Sequence, residues 1–165
     1  MIEAPDPRLE LILHHLDPPP GTKLWHGGAS VVGSLRGVRA EQAAWRPAPT
    51  RHSIWALALH IAYWKYAIIR RVTGGEPGGF ERAPSNFPSV PSPATDAAWN
   101  RDRALLKKTH RELVDVIRSF DPGRLDDPPL TGGGYSSRDL LLGIILHDTH
   151  HAGQIVMLKR LYNDH

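Results

Sequence analysis

"LLLGIILHDTHHAGQIVMLKRL", residues 140–161, decides the fold. It is apolar at helical spacing for about six turns, yet His147, His150 and His151 stand in its middle. Just upstream, Ser136 and Asp139 make an S-x-x-D box, which predicts a helix from there to about Tyr162. Counted from His147 at about 100° per residue, His151 falls near 40°, Leu140 and Leu158 near 20°, Ile144 and Tyr162 near 60°, and Gln154 near −20°. The His147/His151 pair therefore occupies the centre of the stripe that a bundle helix turns inward. His150, near −60°, sits on its edge.

Working outward, proline and glycine cut the rest of the chain into helical blocks. Asp6 caps and Pro7 opens a short helix in "DPRLELILHHL" (6–16), which "DPPPG" ends. "ASVVGSLRGV" (29–38) is a second piece, and "RAEQAAWRPAP" (39–49) a turn of helix stopped at Pro47. Ser53 caps a helix running to about Thr73, before Gly74-Gly75. Residues 74–93 hold five prolines and four glycines and form a long irregular connection. Thr95 caps a helix through about Ser119, and "DPGRLDDPPLTGGG" (121–134) is a loop. No segment alternates with period two, so no sheet is expected. The pattern predicts an all-α, four-helix bundle, a single domain over residues 1–165, with 74–93 as a crossover rather than a tight hairpin.

Composition narrows the chemistry. There is no cysteine, so a disulfide, a thiolate ligand and a thiolate nucleophile are all excluded. That fits a cytoplasmic protein. The N-terminal stretch has acids and prolines where a signal peptide has a basic start and an apolar run. No segment reaches the roughly 18 to 20 apolar residues of a membrane span. Net charge is +3, with fifteen arginines and five lysines. These are spread along the chain, without the basic stripe and interleaved aromatics of a nucleic-acid surface. Neither nucleic acid nor membrane is expected as a partner.

The second long helix adds His60. It lies in "SIWALALHIAYWKYAIIRR" (53–71), among apolar neighbours, with alanines that leave room beside it. A lone histidine on an apolar face is commonly a satisfied core residue, and His-x-x-x-His arises by chance in a chain with ten histidines. The joint pattern, an i, i+4 pair on one inward face and a buried histidine on another helix, points to a divalent metal held by His60, His147 and His151. His14, His15, His52, His110 and His165 read as surface or terminal residues from their polar surroundings. His26, in "LWHGG", reads as a solvated loop residue, the alternative being a place at the site mouth. The H-E-x-x-H zincin motif is not met, because Asp148 takes the glutamate position. Nor is the di-iron pattern, since no Glu is followed three residues later by His.

Three neutral imidazoles leave a divalent ion with open positions, as in catalytic rather than structural sites. Such an ion makes water or a thiol nucleophilic near neutral pH. With no cysteine in the chain, an attacking sulfur comes from a cosubstrate. Gln154 either orients a ligand or braces the bundle. Asp148 and His150 are candidates for proton transfer or for supporting the ligands, and Tyr63 and Trp64 for the cavity wall. Ligand type does not choose the metal, because imidazole suits zinc, nickel, copper and iron.

"RHSIWALALHIAYWKY", "AWNRDRALLKKTHREL" and the opening stretch, with its His-x-x-x-His followed by small-Gly-Gln, resemble the DinB/YfiT-like superfamily of bacterial four-helix-bundle metalloproteins, over nearly the whole chain. The "EQAAWRPAP" turn fits as well. The resemblance implies four helices with a long crossover, commonly as a dimer. It also implies a metal triad of one histidine from the second helix and the pair from the fourth, here His60, His147 and His151. Some members are transferases or isomerases that use low-molecular-weight thiols; others are described as hydrolases. The expectation is a metal-dependent enzyme of hydrolase or thiol S-transferase type acting on a small molecule. Zinc or nickel comes first as its metal, with iron and manganese also compatible. The alternative is a non-catalytic, stress-related metal-binding or protein-interaction module. A homodimer is expected as well. Opposite the histidine stripe lie Leu142, Ile145 and Val156, widened by Leu146 and Met157, and soluble monomers avoid such a patch. A second copy would cover it, unless the N-terminal piece or the 74–93 connection folds over it.

Overall fold

The computed structural model describes residues 6–75 and 79–164. His165 and positions 76–78 of the long connection lie outside them. Among the described residues there are six α-helices and no strand: α1 Pro7–Leu16, α2 Val31–Ser34, α3 Ala40–Ala44, α4 Ile54–Thr73, α5 Asp96–Arg118 and α6 Ser137–Asn163. The caps follow the sequence signals. Asp6, Ser53 and Thr95 each accept a backbone N–H from the first turn of the helix they open. Ser136 and Asp139 form a complete reciprocal box. Gly74, in the left-handed region at φ 66°, ends α4.

Four helices pack in a ring, α1 on α5, α5 on α4, α4 on α6 and α6 on α1. Side-chain partners give the directions. Trp55 donates to Asp102 at the start of α4 and α5, and Ile68 and Val72 share a cluster with Leu113 and Ile117 near their ends. The two helices are therefore parallel. At about 1.5 Å per residue, the chain leaving α4 must travel back about 30 Å to begin α5. The connection makes that return along the bundle, as the crossover reading requires. Glu81 meets Lys108, Arg82 meets Asp102, and Asn86 meets His60. α6 runs antiparallel to α4, with Thr131, just before it, bonded to Arg71 and Leu158 clustered with Leu57.

The fourth side is built in two pieces. α1 stops at Leu16, and α2 continues the wall against α6. Lys159 ties it there by donating to the carbonyls of Ser34 (3.0 Å) and Arg36 (2.9 Å). The core is in two pieces as well. On α4, residues 54–62 supply one apolar cluster and 68–72 the other; on α5 the split falls between Leu106 and Leu113, and on α6 between Ile144 and Ala152. Polar side chains gather at or beside the split on all three helices: His60 and Lys65, Thr109 and His110, His147, Asp148 and His151. Lys65 is fully buried and paired with the Asp148 carboxylate.

Two expectations about surfaces change. His110 is half-buried, 3.7 Å from Asp17, because the end of α1 closes over that side of α5. On α6, Ile145 and Val156 are half-buried, Ile145 packed against the apolar cluster that includes Leu16 of α1. Leu142, Leu146 and Met157 remain exposed, so the open apolar stripe is narrower and rotated from the one expected.

Removing one partner of a buried pair leaves the other as an uncompensated charge. Asp148→Ala is expected to destabilise the fold by about 3–5 kcal/mol. The double replacement Lys65→Met/Asp148→Leu should cost less than either single change. Urea unfolding of the three variants measures both.

Candidate metal centre

α4 and α6, antiparallel, bring His60 opposite His147 and His151. Each of the three offers a ring nitrogen, and these nitrogens lie within 4.8 Å of one another. It is the only such group among the described residues. The Nε2 atoms of His60 and His147 are 3.1 Å apart. Two ligands of one tetrahedral ion at about 2.0–2.1 Å would stand about 3.3 Å apart, so the pair is already at coordination spacing. His60 and His151 are buried and His147 is half-buried, its ring open to the groove between the helices.

Two of the rings are held from behind. His60 Nδ1 donates to the carbonyl of Asn86 at 2.7 Å. Asn86 has a positive φ of 68°, and its side-chain oxygen accepts from Trp64 Nε1 at 2.9 Å. Phe87 stacks on His60 with centroids 4.0 Å apart, and His52 stacks on Phe87, also at 4.0 Å. His151 Nδ1 donates to Gln154 Oε1 at 2.6 Å. A neutral imidazole that donates through Nδ1 carries its lone pair on Nε2. Both partners therefore select the tautomer that a metal needs and aim it at the shared point, the usual arrangement behind histidine ligands. His147 Nδ1 is buried without a partner.

The electrostatics favour the neutral form. Burial pushes His147 down to about 3, helped by His151, His60 and Lys65. Burial also lowers His60 and His151, opposed at His60 by the Asn86 carbonyl and at His151 by Gln154. Burial lowers Lys65 too, and Asp148 works against that shift. Neutral imidazoles are the ligand form, and the donor set fits a divalent ion with open positions.

The sequence-derived triad is thus assembled in full. Gln154 takes the orienting role through His151. Asp148 faces Lys65 rather than the triad. His150 is exposed, edge-on to His151 at 4.9 Å. His26 stays in an exposed loop, its Nδ1 accepting from Gly28 N. Tyr63 packs on Phe80, and Trp64 borders the site. His52, exposed as expected, nonetheless supports the site through Phe87. Lys65, Asn86 and Phe87 were not foreseen. Lys65 carried a signal, as the only charged residue from Ile54 to Ile69. Asn86 and Phe87 sit in an aperiodic stretch that gives no such cue.

A family model, described as the DinB superfamily, matches residues 28–155. The chain belongs to the DinB superfamily. The matched span takes in all three histidines and their supports, and begins after α1. No curated protein matches the sequence. Family membership and geometry thus agree on a site suited to metal.

The lowered imidazole values carry a sign. A histidine with a folded value near 3 and an ordinary value of 6.5 binds its proton in the unfolded chain first. Its stabilising contribution is complete above pH 6.5 and is lost as pH falls toward about 3. Metal-free protein should therefore lose urea stability across that window. His147→Asn should flatten part of the slope, measured as the unfolding midpoint against pH in the presence of chelator.

Proposed function

We propose that this DinB-superfamily chain is a metal-dependent enzyme that uses His60, His147 and His151 to hold a divalent ion and activate water or a low-molecular-weight thiol. Its reaction would be of hydrolase or thiol S-transferase type, on a small-molecule substrate. The observation that carries the reading is the convergence of three neutral imidazoles, two with their Nδ1 atoms tied back, at one half-open point. A structural site would be closed by a fourth protein ligand, and no fourth His, Cys, Asp or Glu joins this group among the described residues. Zinc or nickel suits an all-imidazole set first, with iron and manganese also accepted.

The ion supplies Lewis acidity, which makes water or a thiol nucleophilic at neutral pH. The chain supplies the rest. Asn86 and Gln154 fix two of the rings. The stacked Phe87 keeps water from one face of His60. The chain has no cysteine, so a sulfur nucleophile must arrive with a cosubstrate. The proton lost by the bound water or thiol would pass to solvent on the open side of the site, where the exposed His150 imidazole lies 4.9 Å from the His151 ring.

The exposed stripe of Leu142, Leu146 and Met157 on α6 supports a homodimer as the form of this enzyme. Single-chain mass in sedimentation at micromolar concentration, unchanged in Leu146→Asp/Met157→Asp, would count against it.

Alanine at His60, His147 or His151 should abolish tight binding of added zinc or nickel. Gln154→Ala should weaken it by about 10- to 100-fold, and His150→Ala should leave it unchanged. Competition with a chromophoric chelator measures all five. Turnover in a screen of small thiols with electrophiles, and of esters and amides, should appear only with metal and disappear in His147→Ala. Metal binding without any metal-dependent turnover would favour the non-catalytic module instead.

A further inference from the structure

The seam between α4 and α6 holds a groove of about 380 Å³ that begins at His147 and ends at Arg71. Its floor is apolar and well packed: Ile68, Leu140 and Ile144 are all buried. Trp64 forms one wall, its ring 6.3 Å from that of His147. Gly143 leaves the middle open, since a Cβ built there meets no atom within 4 Å. The polar side chains that line the groove are His147, Arg71, Asp139 and the exposed Tyr135. Asp139 is committed to the α6 cap, where its carboxylate accepts from Ser136 N.

Arg71 is the unexplained member. Its guanidinium makes no ion pair with any described carboxylate, and its recorded partner is the Trp64 ring face at 6.0 Å. A cation with no ion pair among the described residues, at one end of an apolar groove, is suited to the anionic end of a ligand, and a guanidinium matches a carboxylate in a two-pronged geometry. Trp64 lies at the level of His147; the Arg71 backbone is seven residues further along α4, about 10 Å at 1.5 Å per residue, and its guanidinium reaches back to 6.0 Å from the Trp64 ring. A second apolar cleft, of about 420 Å³, lies on the other side of the site beside Gln154, but no triad histidine lines it.

We propose that this groove is the substrate-binding site, and that it takes an elongated small molecule with an apolar body and a carboxylate end. The carboxylate sits on Arg71, the body lies over Ile68, Leu140 and Ile144, and the opposite end reaches the histidine triad. Arg71 and Gly143 are then the specificity-determining positions. The assignment of the reacting end rests on the metal reading of the triad; the binding of the body and carboxylate does not.

Calorimetry on metal-free protein with linear alkanoates of increasing length, and with the matching alcohols, isolates the groove from the metal. Affinity should rise with chain length until the groove is spanned and then level off. Arg71→Gln should weaken alkanoates by at least about tenfold and leave the alcohols unchanged. Gly143→Leu should abolish binding of both while zinc binding persists, which also shows that the variant is folded. Wild-type alkanoate affinity in either variant overturns the proposal. So does loss of self-association in Gly143→Leu with alkanoate binding intact, because the groove would then be an interface between copies. Retention of tight zinc binding in His147→Ala would remove the metal reading and leave the groove result standing.

Discussion

The register between α4 and α6 is the constraint on which the rest of this molecule depends. The two helices meet at mid-length through a fully buried lysine, Lys65, and the Asp148 carboxylate. A buried ion pair is a weak source of net stability, because desolvating both charges offsets their attraction. It is, however, intolerant of misalignment. A one-residue slip rotates a helical position by about 100°, which would strand Lys65 in apolar surroundings. The same alignment sets His60 against His147 and His151. The pair and the triad lie in one polar layer between two apolar clusters, so neither cluster can slide without breaking it.

That layer explains why the long connection between α4 and α5 matters to the site. Parallel neighbours force the chain to return along the bundle, and the return carries Asn86 and Phe87 past His60. A tight hairpin would have delivered the chain to the other end of α5 and left His60 Nδ1 without its acceptor. The connection therefore does two things at once: it closes the topology and fixes a tautomer. Gln154 does the second job for His151 from within α6, three residues on, where helical geometry brings the side chains together. His147 has no such support, and it is the member of the triad that faces the open groove.

The groove and the site have the same origin. The groove stays open on the α6 side at Gly143, which puts no side chain into it. The seam stays open beside His147 and ends where Arg71 reaches the loop before α6, alongside Gly132.

Periodicity and capping residues on their own determined much of this protein. The helices began at Asp6, Ser53, Thr95 and Ser136 because a side-chain oxygen there satisfies an otherwise free N–H, and α1 and α4 ended where proline or glycine made continuation costly. The inward placement of His60, His147 and His151 was legible too, since 100° per residue is a property of the helix alone. Tertiary structure decided what depends on which helices meet, in which direction and at which height. It buried Lys65 against Asp148, drew His110 under the end of α1, and covered Ile145 while leaving Leu146 and Met157 open. It also placed Asn86 and Phe87 behind His60. None of these follows from local pattern, because each is a contact between segments far apart in the chain, and an aperiodic loop such as 79–93 acquires its role only from the helices it is made to cross.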